Sequence, residues 1–113
     1  GRVWVGTFRK GIYLKDGDKV SHFIQENVPN KDMDYNIVRD FAEDHQHQIW
    51  VCYHGGVGRF DEKTKRIIPL QNKHFIGNTN INGIAFDRQH RLWAATNKQF
   101  ARRLPLISKD VCG

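Results

Sequence analysis

The chain has 113 residues, which suits one small domain or part of a larger one and excludes a two-domain enzyme with a cleft between its lobes. Ala, Val, Ile, Leu, Met, Phe, Trp and Cys together with the ten glycines make up about 45% of the sequence, at the low edge of the globular range, so we expect a thin core. The net charge is +6, but the basic residues neither cluster nor alternate with aromatics. This distribution does not indicate a nucleic-acid partner. It is better explained by lysines on solvated strand edges, where they prevent aggregation.

A tryptophan between apolar neighbours appears at the start of the chain and recurs twice. Trp4, Trp50 and Trp93 lie 46 and then 43 residues apart. The matching segments are Val3-Trp4-Val5, Ile49-Trp50-Val51 and Leu92-Trp93-Ala94. Around them, apolar residues recur at a spacing near two, between clusters of Gly, Asn, Asp and Pro. A repeat of this length with four short strands is typical of a β-propeller blade.

The first unit, residues 1–30, is expected to be a partial blade, because it begins at the turn that precedes the tryptophan strand. Its next strand follows Gly11, and the corresponding strand of the second unit follows Gly56. We therefore assign Gly56 a structural role. The second unit, residues 31–75, is expected to be a complete blade. Its strands are predicted at Ile37 to Ala42, Gln48 to Tyr53, Val57 to Asp61 and Arg66 to Leu70.

The third unit, residues 76–113, matches the second through its tryptophan strand and then departs from the pattern. Between Ala94 and Arg103 the usual glycines are missing, and Arg103 replaces an aromatic residue. A third strand is therefore only weakly indicated there. In total, we expect an all-β chain of about two and a half four-stranded antiparallel blades. Because a propeller closes with roughly four to eight blades, the chain is expected to be part of a larger propeller.

A four-residue turn precedes each of the last two tryptophan strands. The turns begin at Asp44 and Asp87, whose side chains can accept a hydrogen bond from the backbone two residues on. Their fourth residues are His47 and His90, and a positive φ is expected there because histidine tolerates it better than most residues. A metal site at His45 and His47 is the alternative. It lacks a third ligand at a recognisable spacing, so we favour the structural role for these turns.

The remaining candidates also favour structure over chemistry. We expect Trp4, Trp50 and Trp93 to lie in the core between blades, with a platform for a sugar or a cation as the alternative. Cys52 aligns with Gly6 and Ala95, which favours a small buried residue over a nucleophile. Two cysteines are too few for a disulfide scaffold and lack the spacing of a zinc site. We predict no catalytic residue, no metal and no cofactor.

Taken together, the motifs resemble the two-component-regulator propeller repeat. The resemblance is carried by apolar-Trp-apolar strands, an acid before the turn, and a Gly-apolar-x-Arg-aromatic-Asp segment, as in Glu43-Asp44, Ile49-Trp50-Val51 and Gly55-Gly56-Val57-x-Arg59-Phe60-Asp61. In that family the repeats build seven-bladed propellers in the periplasmic sensor part of hybrid histidine kinases anchored in the inner membrane. Many of these sensors respond to oligosaccharides and regulate polysaccharide use.

The resemblance implies a non-enzymatic part of a periplasmic sensor. Its implied partners are an oligosaccharide bound by the complete domain, the remaining blades of the parent propeller, and a second copy of the parent in a homodimer. Two other functions stay open at this point. A propeller can be a scaffold for protein interaction without sensing a small ligand, and it can be an enzyme whose active site uses loops from other blades.

Overall fold

The computed structural model describes residues 1–28, 33–70 and 81–96, together with the backbone of residues 102–104. These residues form ten strands in antiparallel sheets and contain no helix. The expected all-β fold is confirmed. No helix in the described part of the chain could cross a membrane. The expected unit boundaries at 30/31 and 75/76, as well as Cys112, lie outside the described residues.

The strands form three sheets that follow one another along the chain, each joining neighbouring strands in sequence order. Sheet 1 contains β1 (Arg2–Gly6), β2 (Ile12–Asp16) and β3 (Lys19–Phe23). Sheet 2 contains β4 (Asp34–Glu43), β5 (Ile49–His54), β6 (Gly56–Asp61) and β7 (Arg66–Pro69). Sheet 3 contains β8 (Ile81–Phe86), β9 (Leu92–Thr96) and β10 (Arg102–Leu104).

Two strands differ from the sequence prediction. β4 begins at Asp34, three residues earlier than expected, and its pairing with β5 shifts register on both sides of Val38. Such bulges let a long strand bend while both of its ends stay paired. In the third unit, β10 does form and pairs Arg103 with Trp93. Backbone pairing needs no particular side chain, so the missing glycines do not prevent this strand.

Glycine is required where the β1–β2 hairpin meets the end of β3. Gly11 has a φ of 76°, and a Cβ added to it would lie 2.2 Å from the carbonyl oxygen of Phe23. Its N–H donates to the carbonyl of Asn36 at 3.0 Å. A side chain at this position would push the hairpin away from the end of β3. Gly56 instead leaves room for the ring of Tyr53, because a Cβ there would lie 2.9 Å from the Tyr53 hydroxyl oxygen.

One apolar cluster lies between sheets 1 and 2. Its buried members come from strands of both sheets, and the rings of Trp4 and Phe23 pack against them. The buried members are Ile12, Tyr35, Val38, Ile49, Val51, Tyr53, Phe60 and Ile67. A backbone hydrogen bond reinforces the junction, as Val38 N–H donates to the Thr7 carbonyl at 2.9 Å. Fully burying a Val or Ile side chain stabilises a fold by about 1.5–3 kcal/mol, so this cluster is the main force joining the two sheets.

A second apolar cluster joins sheets 2 and 3. Its buried members are Trp50, Cys52, Val57, Ile81, Ile84, Leu92 and Ala94. Hydrogen bonds between described residues also cross this junction. Ile84 N–H donates to Asp40 Oδ2 at 2.9 Å, and Cys52 Sγ donates to the Ile81 carbonyl at 3.2 Å. The described sheets therefore pack face to face in series, as propeller blades do.

Candidate functional site

The turn at Asp44 is a hydrogen-bonded unit that extends into the core. Asp44 Oδ1 accepts from the backbone N–H groups of Gln46 and Gln48, at 2.9 and 2.8 Å. Its Oδ2 accepts from the indole N–H of Trp50 at 2.9 Å. Asp44 is buried, so these donors replace the water that a carboxylate would otherwise bind. The same side chain thus forms the turn and satisfies a buried tryptophan.

The turn at Asp87 repeats this arrangement with one more partner. Its Oδ1 accepts from the backbone N–H groups of Gln89 and Arg91, and its Oδ2 accepts from the Trp93 indole at 2.7 Å. The Arg91 side chain also donates to Oδ2 at 2.7 Å. Partial desolvation acts to raise the pKa of Asp87, but the hydrogen bonds from Trp93 and Arg91 outweigh it and hold this pKa well below the usual range. These hydrogen bonds favour the ionised form of Asp87, which acts as an acceptor in its turn.

The histidines of the two turns have separate roles. His47 and His90 have φ values of 63° and 64°, in the left-handed region expected for the fourth turn residue. His45 stacks on His90 with 3.9 Å between ring centroids, whereas His47 Nδ1 lies 2.7 Å from Glu43 Oε2. Within residues 1–28, 33–70 and 81–96, no group of three or more His, Cys, Asp or Glu side chains could hold a metal ion. The alternative of a metal site at His45 and His47 gains no third ligand there.

The three tryptophans face the same direction along the series of sheets. Trp4 packs on Phe41 and Phe60 of sheet 2, with ring centroids 6.0 and 5.5 Å away. Trp50 makes an edge-on contact with Phe86 of sheet 3 at 5.9 Å. Trp4 and Trp50 thus each contact an aromatic ring of the following sheet.

Trp93 differs because no described sheet covers its face. The ring is half-buried and borders an open depression of about 260 Å³. Ala85, Ala95 and Asp40 are among the residues that line this depression. An aromatic platform for a ligand thus remains the alternative at Trp93.

Cys52 is a buried thiol in the second cluster. Burial is the main cause that raises its pKa to about 12, which keeps the thiol neutral. A neutral thiol that donates to a backbone carbonyl is a poor nucleophile, as expected for a small core residue.

Sequence reasoning missed two kinds of side-chain contact that organise the sheets. The bonds from Trp50 and Trp93 to the turn aspartates were not predicted, although a spacing of Asp-x5-Trp occurs in both units and signals them. Gln25 was not singled out either. Its side chain accepts from Ile67 N–H at 2.8 Å and donates to the Lys65 carbonyl at 3.1 Å, which caps the edge of β7. These partners are about 40 residues away, and no local pattern points to them.

Comparison with solved structures identifies the class of fold. The chain aligns with a structure described as the extracellular domain of the hybrid two component system BT3049 from B. thetaiotaomicron, with a TM-score of 0.63 and 23% identity, over 92% of this chain and 16% of that chain. It also aligns with selenomethionine-substituted virginiamycin B lyase from Staphylococcus aureus, with a TM-score of 0.60 and 15% identity, over 94% of this chain and 38% of the lyase. The stacked sheets are thus those of a β-propeller. Two such different proteins share them, so the fold alone does not determine the function.

The family of the repeat follows from the sequence. Residues 75–98 match the family model of the two component regulator propeller. This confirms the resemblance noted for the repeats and places it on the third unit, around Trp93. A search of curated proteins found no match. The likeness to a two-component-regulator propeller repeat thus covers residues 75–98, and the chain spans only 16% and 38% of the two aligned structures.

Proposed function

We propose that this chain forms part of the ligand-sensing propeller of a hybrid two-component histidine kinase. The match of residues 75–98 to the regulator propeller carries the proposal. The structural likeness to the extracellular domain of a hybrid two component system supports it. On this proposal the chain lies outside the cytoplasmic membrane, in the periplasm, and acts with the other blades of the longer protein in a homodimer.

The ligand class that we propose is an oligosaccharide, which would regulate polysaccharide use. A propeller presents loops from many blades around one axis, so several loops can grip a ligand of several rings. One described loop suits such a ligand. Phe8, at the tip of the β1–β2 hairpin, is 66% exposed, and the Arg9 guanidinium lies 5.0 Å from its ring. An exposed ring beside a cationic donor can stack on a sugar and bind its hydroxyl groups.

The contacts of the described residues fit an enzymatic role less well than a binding role. Asp44 and Asp87 occupy the same position in two units, and both accept several hydrogen bonds within their own units. An acid whose two oxygens both accept hydrogen bonds within its own unit is poorly placed to transfer a proton to a substrate. The function proposed for this segment is therefore binding.

Calorimetry on the complete extracytoplasmic region, titrated with a panel of oligosaccharides, tests this proposal. We expect at least one glycan to bind, and Phe8→Ala to weaken that binding without changing the unfolding temperature. Ile68→Ala is the matched control, because Ile68 is also an exposed apolar side chain but lies on an edge strand. Binding of no glycan, together with tight capture of a protein partner, would contradict the sensor proposal and favour a scaffold for protein interaction.

A further inference from the structure

Two hairpin loops of neighbouring sheets lie at the same end of the stack. The β1–β2 loop is held on β4, because the Thr7 carbonyl accepts from Val38 N–H at 2.9 Å. Val38 in turn pairs with Tyr53, the residue before His54, and the β5–β6 loop follows His54. The surface that these loops and β4 form is called the hairpin end, and its members are Phe8, Arg9, Lys10, Arg39 and His54.

The hairpin end stays open where a sheet has neighbours on both of its faces. Sheet 2 packs on sheet 1 and on sheet 3, yet its Arg39 is exposed and its His54 is only half-buried. In a longer propeller such as the one proposed above, further blades pack on the faces of the sheets and not on their ends. This surface is therefore available to a ligand in the longer protein as well.

Arg39 is set apart by the bulge in β4. The register of β4 on β5 shifts between Val38 and Asp40, so Arg39 has no cross-strand partner of its own. Bulges of this kind redirect side chains and are frequent beside functional sites. Arg39 Nη2 lies 3.3 Å from His54 Nδ1. A guanidinium can only donate, so Nδ1 accepts, and the proton of the neutral ring is on Nε2. Arg39 keeps further N–H donors, and His54 Nε2–H adds another.

The β1–β2 loop brings an exposed ring and two more cations to this end. Beside the ring of Phe8, Arg9 has a φ of 75°, which residues other than glycine seldom adopt. Lys10 N–H donates to Thr7 Oγ1 at 3.0 Å, which fixes the backbone of the loop while the Lys10 side chain stays exposed. The cations of the hairpin end come from two separate segments, so the sequence alone does not show them as a cluster.

The acids nearest to the bulge do not neutralise these cations. Asp34 Oδ1 accepts from Asn36 N–H at 3.0 Å, and Asp40 Oδ2 accepts from Ile84 N–H at 2.9 Å. Within the part of the chain that the structure describes, no ion pair joins an acid to any of the three cations of the hairpin end. Their charges are therefore free for a ligand.

The opposite end of the sheets has a different balance of charge. There Arg2 pairs with Asp16 and Glu62, and Arg91 pairs with Asp87. Cations at that end thus have acids within reach. At the hairpin end, unpaired cations lie in the same loop as an exposed aromatic ring and on the strand beside it. Guanidinium groups bind carboxylates and other oxyanions through paired hydrogen bonds, and an aromatic ring stacks on the apolar face of a sugar.

We propose that the hairpin end binds an anionic oligosaccharide, whose carboxylate or sulfate groups are held by Arg39 and Arg9. This inference rests on the sensor function proposed above and narrows its ligand class from oligosaccharides in general to acidic ones. Phe8 stacks on one sugar ring, and His54 Nε2–H donates to the anionic group beside Arg39. A neutral oligosaccharide offers the same rings but no partner for the cations.

Calorimetry on the complete extracytoplasmic region tests the charge requirement with pairs of glycans that differ only in charge. An oligosaccharide that contains uronic acids is compared with its carboxyl-reduced form, and a sulfated oligosaccharide is compared with its desulfated form. We expect the anionic member of at least one pair to bind about tenfold or more tightly than its neutral form. Its affinity should fall as salt concentration rises, because salt screens exposed charges. The pair that responds distinguishes a carboxylate from a sulfate ligand.

Two charge-removing variants locate the contact. Arg39→Gln and Arg9→Gln should each weaken binding of the anionic glycan by about tenfold and remove most of the difference from its neutral form. Arg88→Gln is the matched control, because Arg88 is also an exposed arginine but lies in the Asp87 turn at the opposite end, and it should bind as the unchanged protein does. All three side chains are exposed, so circular dichroism should show an unchanged fold.

Two results would overturn this inference and leave the sensor proposal standing. One is a neutral glycan that binds at least as tightly as its anionic form in every pair that binds. The other is an anionic glycan whose affinity is the same for Arg39→Gln and Arg9→Gln as for Arg88→Gln. Binding of no glycan of either charge would overturn the sensor proposal together with this inference.

Discussion

The indole N–H of Trp50 donates to Asp44 Oδ2 across 2.9 Å, and this bond links the turn before β5 to the apolar core between sheets 2 and 3. The pair from Trp93 to Asp87 repeats it at 2.7 Å in the next unit. In each unit one carboxylate shapes the turn with one oxygen and fixes the tryptophan ring with the other. One aspartate in each of these two units thus connects the turn to the tryptophan beside it.

Asp44→Ala should destabilise the chain by about 3 kcal/mol, because it removes the acceptor of three hydrogen bonds and leaves the buried Trp50 N–H without a partner. Urea unfolding measures the loss. Asp61→Ala is the control, since Asp61 forms an exposed turn with Lys63 and Thr64 and has no bond to a buried ring. It should cost clearly less. Equal losses for the two variants would mean that the bond to Trp50 contributes nothing.

The sequence was sufficient for the repeat and the order of strands, but not for contacts that depend on how the strands bend and meet. Alternating apolar residues around Trp50 predict β5 and its burial, and Asp44 predicts the turn. The bond between them depends on the direction in which the ring leaves the strand. The early start of β4 depends on Tyr35, which stacks on Tyr53 with 4.3 Å between ring centroids. Gln25 caps β7 only because sheets 1 and 2 pack together.

Trp50→Ala should cost about 3–5 kcal/mol, because it removes the largest side chain from the second cluster and leaves a cavity beside Phe86. Trp93→Ala is the matched comparison and should cost less, since its ring is only half-buried. Trp50→Phe keeps an aromatic ring but cannot donate to Asp44, so it should destabilise the chain less than Trp50→Ala does. Unfolding by urea, followed by circular dichroism, ranks the three variants. A larger loss for Trp93→Ala than for Trp50→Ala would contradict the assignment of Trp50 to the core.

Cys52 should make the chain less stable in alkali. Burial raises the pKa of this thiol from 9.0 to about 12, so the unfolded chain releases its proton first as pH rises. Stability from this group is complete below pH 9 and declines between pH 9 and 12. The decline is about 1 kcal/mol between pH 9 and pH 10. Urea unfolding at pH 9 and pH 10 measures this decline. The Cys52→Ala chain should lose about 1 kcal/mol less stability between the two pH values than the unchanged chain. An equal decline for both chains would contradict the prediction.

Gly11→Ala should be much more harmful than Gly17→Ala, although both glycines have positive φ values, of 76° and 62°. Around Gly17 a Cβ would meet nothing within 4 Å, so only the backbone strain of about 1 kcal/mol applies. At Gly11 the Cβ would also collide with the Phe23 carbonyl, and the loss should be at least about twice as large. Thermal unfolding compares the two variants. Equal shifts would show that the hairpin does not approach β3 as described.

The packing of Trp50 between two sheets is tested most directly by the fluorescence of a chain in which it is the single tryptophan, made with Trp4→Phe and Trp93→Phe. We predict a blue-shifted emission that iodide quenches poorly, because Trp50 is covered by sheet 3 and donates to a buried carboxylate. Emission should shift to that of exposed indole only on unfolding. An emission like that of indole in water, quenched readily by iodide in the folded chain, would contradict the stacking of sheets 2 and 3 through Trp50.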